Sequence, residues 1–126
     1  MTRFYLLCFA INSFAVVAFG AFGAHLLQGR IDDALLQTWQ TSVHYQMFHS
    51  LPLLAIAWLS QLRVPTTTLI WSGRLFIAGL VLFCGSLYLL ALTGTRMLGI
   101  ITPFGGVAWL VGWGLLARIA ITHTRT

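Results

Sequence analysis

Residues 75–95 read LFIAGLVLFCGSLYLLALTGT, and this stretch without a charged side chain decides the fold. Three further stretches are equally free of formal charge: residues 4–29, 34–62 and 97–117. Each is long enough to cross about 30 Å of hydrocarbon as a helix that rises about 1.5 Å per residue. The stretches lack the alternating pattern of barrel strands, and a backbone in lipid must satisfy its own hydrogen bonds. The sequence therefore predicts an all-α integral membrane protein, a four-helix bundle.

The composition agrees with a chain that is dissolved in lipid. Of the 126 residues, 59% are hydrophobic and 7% are charged, whereas soluble domains average about 45–50% apolar residues. We predict a single transmembrane domain over residues 1–126, with spans at about 4–27, 42–62, 71–92 and 98–118. A cleaved signal peptide is the alternative for the first span, but its apolar run exceeds the roughly 7–15 residues of a signal core. We therefore expect that this span is retained.

The arginines predict the orientation of the chain in the membrane. Four spans place both termini and the loop around Arg63 on one side, and Arg30 and Arg96 on the other. Five arginines lie on the first side: Arg3, Arg63, Arg74, Arg118 and Arg125. The positive-inside rule then predicts a cytoplasmic N-terminus and C-terminus. Because the arginines stand singly at segment ends and form no basic patch, we expect membrane lipids as partners and no nucleic acid.

The second charge-free run is too long for one simple span, and its first part is polar. We predict one long helix with an amphipathic start outside the hydrocarbon, on the extracytoplasmic side. Asp32 is the predicted N-cap, and Asp33 favours the positive end of the helix dipole. Pro52 is expected to kink or break this helix. A stripe suited to lying along the membrane interface is formed by Leu35, Leu36, Trp39 and Val43.

Small residues are predicted to bring the helices close together. Lipid tails are as apolar as leucine, so helices in a membrane associate through close packing and a few polar contacts. The predicted packing positions are Gly20, Ala24, Gly79, Gly85, Ala108 and Gly112. A seam between copies of the chain is the alternative interpretation of the same positions.

A short set of polar residues inside the spans is the candidate for a functional site. Counting from Leu62 at about 1.5 Å per residue puts His49 about 10 Å below the outer boundary. By the same count Ser86 and Thr102 lie at a similar depth. We therefore predict a polar pocket in the outer leaflet, formed by His25, Tyr45, His49, Ser86 and Thr102.

This polar set has two interpretations. In the structural one, these side chains make hydrogen bonds that fix the register of the helices, and Pro103 weakens the fourth helix and frees a carbonyl for His49 or Tyr45. In the functional one, the set is a pocket for an ion or a small molecule. Asn12, alone in the first span, is predicted to hydrogen-bond between helices.

Catalysis and metal binding are not expected. The carboxylates Asp32 and Asp33 are adjacent at the membrane surface, and no serine or cysteine has a recognisable activating arrangement. His44 and His49 diverge by about 140° on a helix, so the histidines have no compact ligand spacing. We expect no enzyme activity, no metal and no cofactor.

Four short motifs carry a resemblance to a known family: Gly20-Ala-Phe-Gly-Ala-His25, Tyr45-Gln-Met-Phe-His49, Gly85-Ser-Leu-Tyr88 and Thr102-Pro-Phe-Gly-Gly106. In their order and separations they resemble the YgdD/YwdK-like family of small bacterial membrane proteins. The resemblance implies a multi-pass protein of the bacterial inner membrane, of unknown function and without catalytic residues to transfer.

Two functions are therefore expected. The first is a non-enzymatic helical bundle with a structural or assembly role, which associates with itself or with another membrane protein. The alternative is a channel, transporter or small-ligand-binding protein that uses the pocket around His49.

Overall fold

The computed structural model of the protein describes residues 1–123, and the regular structure in this range is entirely helical. One turn of the first helix, Gly23–Leu27, and one of the third, Leu80–Cys84, are π-helical. The predicted all-α four-helix bundle is confirmed. Arg125, one of the arginines that favour the orientation, lies outside the described residues. The four long helices in chain order are α1 over Thr2–Leu27, α2 over Asp33–Leu59, α3 over Thr66–Thr93 and α4 over Thr102–His123.

Three stretches of helix within residues 1–123 are long and apolar enough to cross a membrane: α1, α3, and α4 with the 3-10 turn before it. α2 is more polar, yet it packs along α1 from end to end. At one end of this pair the hydroxyl oxygens of Thr2 and Ser60 lie 2.6 Å apart. At the other end Trp39 Nε1 donates a hydrogen bond to the Phe19 carbonyl, 2.8 Å away. α2 therefore runs beside α1 over nearly its whole length.

α2 begins where the sequence predicts it. Asp32 is the N-cap residue, although its side chain makes no capping hydrogen bond, and Asp33 lies in the first turn. The helix continues through Pro52 to Leu59 without a break. Pro52 is buried, so the bundle packs around the residue that lacks a backbone donor.

The start of α2 differs from the expectation of an interfacial stripe. Trp39 is only 3% exposed, and it packs in a small core with Leu27 and Ala91. Leu36 and Val43 are half-buried against the same core. The stripe lies inside the bundle because α1 and α3 extend far enough to offer it apolar contacts, which replace the membrane interface.

α4 begins later than the sequence predicts. A 3-10 turn over Arg96–Ile100 precedes it, and the α-helix starts at Thr102. Pro103 therefore lies in the first turn, where a missing N–H removes no intrahelical hydrogen bond. The expectation that Pro103 weakens the fourth helix and frees a carbonyl is wrong for this reason.

The helices differ strongly in how much of their surface the bundle covers. α1 packs chiefly on α2, and α3 packs chiefly on α4, with α2 also lying against α3. In the most apolar window of α1 only 6% of residues are buried, against 28% for α3. The main core is built around Leu53, Ile56, Leu69, Phe76 and Trp109. α1 is thus a peripheral helix with one broad face outside the bundle.

Glycines mark the closest approaches between helices. A Cβ atom at Gly79 would overlap the Trp109 indole, and one at Gly112 would lie 3.2 Å from the Phe76 ring. Among the other predicted packing positions, a Cβ at Gly20 would make an ordinary 3.7 Å contact, and one at Gly85 would meet nothing within 4 Å. Ala24 is exposed and Ala108 half-buried. Close approaches that the sequence analysis did not single out occur at Gly23, Gly73 and Gly105.

Candidate functional site

One chain of hydrogen bonds around Gln46 joins three helices. Gln46 Nε2 donates to Asn12 Oδ1 at 2.9 Å, and Asn12 Nδ2 donates to the Gln46 carbonyl at 3.4 Å. The Tyr88 hydroxyl donates to Gln46 Oε1 at 2.5 Å. Hydrogen bonds between membrane helices contribute about 0.6 kcal/mol on average and up to about 1.7 kcal/mol. The prediction that Asn12 hydrogen-bonds between helices is confirmed.

A second set of bonds fixes the register of α2 against α3. Ser42 Oγ donates to the Cys84 carbonyl at 3.0 Å, and Cys84 Sγ donates to the Ser42 carbonyl at 3.6 Å. Both side chains are buried. Cys84 ends the π-helical turn Leu80–Cys84, so this reciprocal pair holds α2 at the point where the regular winding of α3 changes.

α3 and α4 are joined in the same manner. Ser72 Oγ donates to the Gly112 carbonyl at 3.0 Å, and Trp109 Nε1 donates to the Phe76 carbonyl at 3.2 Å. These bonds reach backbone carbonyls across the interface, and the close approaches at Gly79 and Gly112 allow them. The polar atoms of these side chains therefore hold helices to one another.

His49 is a buried polar residue whose hydrogen bond stays within its own helix, as that of Ser50 does. It is 7% exposed, and its Nδ1 donates to the Tyr45 carbonyl within α2 at 2.9 Å. Its ring stacks on the Trp109 indole with a centroid distance of 3.7 Å and an angle of 8° between the planes. Stacking and the Nδ1 bond together hold the imidazole in one orientation.

A shallow groove of about 290 Å³ opens beside His49 on the outside of the bundle. Tyr45 and Phe48 are 45% and 56% exposed, so aromatic edges form its rim. The ring of Tyr45 is parallel to that of His49 within 4°. The residues that line the groove are His44, Tyr45, Phe48 and His49.

The structure brings four of the five predicted pocket residues together in two pairs. Tyr45 and His49 form one pair, and the Ser86 and Thr102 hydroxyl oxygens, 2.6 Å apart, form the other. His25 lies exposed in the π-helical turn of α1. Within residues 1–123 it makes no hydrogen bond, ion pair or ring contact.

The two pairs lie at different levels of the bundle. Ser42 is the residue of α2 that bonds to Cys84, two residues before Ser86, and Trp109 is the residue of α4 that stacks on His49. From Ser42 to His49 is about 10 Å along a helix, and from Thr102 to Trp109 is again about 10 Å. His49 thus lies deeper in the bundle than Ser86 and Thr102, which differs from the count that put them at one depth.

Gln46 and Trp109 are the important residues that sequence reasoning missed. Gln46 was one polar residue among several on α2, but a glutamine in the middle of a span must find partners, and that signal is visible in the sequence. Trp109 carries no such signal. Its role follows from the glycine at position 79 of the neighbouring helix, which only the fold places beside it.

The described residues give little support for metal chemistry. Within residues 1–123, no three His, Cys, Asp or Glu side chains are grouped so that they could hold a metal ion. The aspartates Asp32 and Asp33 are exposed at the start of α2, away from the groove beside His49.

Long apolar helices that turn their polar side chains towards one another define a multi-pass helical membrane protein. A family model described as "Protein of unknown function (DUF423)" matches residues 19–106. The chain therefore belongs to this family of uncharacterised membrane proteins, and the resemblance found in its motifs is confirmed.

Two relatives show how far the similarity extends. The UPF0382 membrane protein YwdK of Bacillus subtilis is 41% identical over 96% of this chain and 98% of its own length. The UPF0382 inner membrane protein YgdD of Escherichia coli is 43% identical over 98% of this chain and 94% of its own length. No solved structure matches the chain. The protein is a multi-pass protein of the bacterial inner membrane, and its relatives are named without an enzymatic or transport activity.

Proposed function

We propose that the protein is a non-enzymatic helical bundle with an assembly role, and that it associates with further copies of itself through the outer face of α1. The polar interior supports a structural role. Hydrogen bonds to neighbouring helices are made by the side chains of Gln46, Ser42 and Ser72. The described part of the chain holds no buried side-chain N or O atom without a partner. What this bundle offers to other molecules is therefore its outer surface.

The outer face of α1 carries the proposal of self-association. Ala10, Phe14, Val17 and Ala21 fall within about 60° on a helix at about 100° per residue, and all four are exposed. Exposed Ala24 follows directly beyond them. Alanines allow a second backbone to approach closely, which is how helices associate in lipid.

Substitution of Ala21 tests this proposal. Ala21→Phe places a bulky ring on the exposed face without disturbing the core of the bundle. Ala117→Phe is the matched control, because Ala117 is exposed on α4. Two differently tagged copies are co-expressed, and their co-isolation from membranes is measured after cross-linking.

We expect Ala21→Phe to lower co-isolation about tenfold, which corresponds to about 1.4 kcal/mol, and Ala117→Phe to leave it unchanged. Equal effects of the two substitutions, or wild-type copies that never co-isolate, would contradict self-association through α1.

We also infer that both termini are cytoplasmic. The positive-inside rule applied to the arginines supports this orientation. At one end of the bundle Thr2 contacts Ser60, and Arg63 and His123 line one cavity; at the other end Arg30 and Gly94 line another. Arg63 and Arg30 therefore lie at opposite ends of the bundle, which supports the proposed orientation.

Reporter fusions at the C-terminus and near Arg96 measure the orientation. We expect a fluorescent reporter that folds only in the cytoplasm to be active at the C-terminus and inactive near Arg96. The opposite pattern would overturn the assignment.

A further inference from the structure

His49 carries a hydrogen-bond acceptor that the bundle does not use. Its Nδ1 is bonded to the Tyr45 carbonyl, and because a carbonyl accepts, Nδ1 bears the proton. In the neutral ring Nε2 then holds a free lone pair. Within residues 1–123 Nε2 has no hydrogen-bond partner, and it is not sealed from the outside. The acceptor of this side chain, which is only 7% exposed, is thus left without a partner in the bundle.

The acceptor is held in place before any ligand arrives. The imidazole stacks on Trp109 at 3.7 Å, and the indole is fixed in turn by its Nε1 bond to the Phe76 carbonyl at 3.2 Å. Little side-chain freedom remains to be lost on binding, and preorganised groups bind more tightly for that reason.

The position of the groove selects the kind of molecule that reaches Nε2. His49 lies about 24 Å along α2 from Asp33 and about 15 Å from Leu59, which places it near the middle of the hydrocarbon. Lipid headgroups do not reach this depth, and an unsatisfied acceptor in hydrocarbon is costly. A partner must therefore be soluble in the membrane and bring its own donor.

The residues that line the groove further restrict the class of ligand that fits it. Tyr45 and Phe48 supply ring faces and edges beside the imidazole. Aromatic rings pack well against such walls in offset or edge-to-face arrangements. A phenolic hydroxyl is also a better donor to a neutral imidazole than an aliphatic one.

We propose that the groove beside His49 binds a membrane-soluble molecule whose head is a hydroxylated aromatic ring, a phenol or a hydroquinone. Its hydroxyl donates to His49 Nε2, and its ring packs between Tyr45 and Phe48. This site goes beyond the assembly role and does not depend on it, because the groove is lined by residues of α2 and not by the outer face of α1.

Two matched compounds test the site: para-octylphenol and para-octylanisole. They share the ring and the tail, but the methoxy group of the anisole cannot donate a hydrogen bond. Binding to the purified protein in lipid nanodiscs is measured by calorimetry. Nitrogen NMR of protein labelled at histidine reports the state of Nε2 directly.

The wild-type protein is expected to bind the phenol about tenfold more tightly than the anisole, and the phenol alone should move the Nε2 resonance of His49. His49→Phe keeps a ring against Trp109 but lacks the acceptor, so it should abolish the preference. His25→Phe is the control, because His25 is an exposed histidine on α1 that does not line the groove, and it should not change the preference.

Three results would overturn the proposal: no saturable binding of the phenol, equal binding of both compounds, or a preference that His49→Phe retains as His25→Phe does. Equal binding would identify the groove as a seat for acyl chains only. If His49→Phe does not fold, the NMR comparison of the two compounds on wild-type protein decides alone. Failure here leaves the Ala21 experiment unaffected, since that measures association through α1.

Discussion

Gly105→Ala is expected to weaken the contact between α3 and α4 more than the same substitution at Gly106, Gly112 or Gly114, the other glycines of α4. A Cβ atom at Gly105 would overlap the backbone nitrogen of Phe83 and would lie 2.7 Å from its Cβ and 2.9 Å from its Cα. These are backbone and Cβ atoms, which no rotamer change moves aside. One of the two helices must therefore shift, and the hydrogen bonds that join α3 to α4 shift with it.

The expected size follows from two opposing effects. Overpacking in a well-packed interior costs about 1–3 kcal/mol, and alanine in place of glycine returns up to about 1 kcal/mol of helix propensity. We therefore expect Gly105→Ala to lower the free energy of unfolding by about 1–2 kcal/mol. Gly85→Ala is the matched control, because a Cβ there meets nothing within 4 Å, and its stability should be unchanged or up to about 1 kcal/mol higher.

Reversible unfolding in mixed micelles, followed by tryptophan fluorescence and circular dichroism, measures both variants. The two should differ by about 1–3 kcal/mol. The reasoning is refuted if Gly105→Ala and Gly85→Ala unfold within about 0.5 kcal/mol of each other. It is also refuted if Gly85→Ala is the less stable variant.

Two further substitutions test the polar contacts between helices with the same unfolding assay. Gln46→Leu removes the side-chain hydrogen bonds to Asn12 and Tyr88 and should lower the free energy of unfolding by about 1–3 kcal/mol. In a double-mutant cycle with Tyr88→Phe the two losses of stability should not add. Simple additivity would contradict the hydrogen bond between Tyr88 and Gln46. Trp109→Phe keeps an aromatic ring beside His49 but removes the donor to the Phe76 carbonyl, so a loss of about 0.5–1.5 kcal/mol is expected; unchanged stability would show that this bond contributes nothing.

The fold could be predicted from the sequence because charge-free stretches report membrane spans directly. The start of α2 was placed well, since Asp32 and Asp33 mark it. The start of α4 was not, because hydropathy does not distinguish a 3-10 turn from a helix when both are apolar. Pro103 indicates where α4 begins, because proline is favoured in the first turn of a helix. The helix does begin at Thr102.

The candidate site was only partly predictable, because depth along a helix does not fix which residues meet. The count from Leu62 treated α2 as a span that ends there, whereas the helix ends at Leu59. Contacts to Cys84 then place Ser42, and not His49, near Ser86. The register of one helix against its neighbour is set by close approaches such as that of Gly79 to Trp109. The pattern of residues along a single helix does not predict this register.

The contacts of α2 explain why this rather polar helix is stable inside a membrane. They also show how His49 differs from the other polar residues of the helix. Ser42 and Gln46 face α1 and α3 and find partners there, so these two polar side chains are turned away from the lipid. His49 turns towards α4 instead, where Trp109 offers a ring face but no donor for Nε2. Packing against Trp109 explains why an aromatic ring stands at position 49. Phenylalanine would supply such a ring without an unpaired hydrogen-bond acceptor. The imidazole nitrogen is the part that packing does not explain, which is why the binding experiment compares histidine with phenylalanine at position 49.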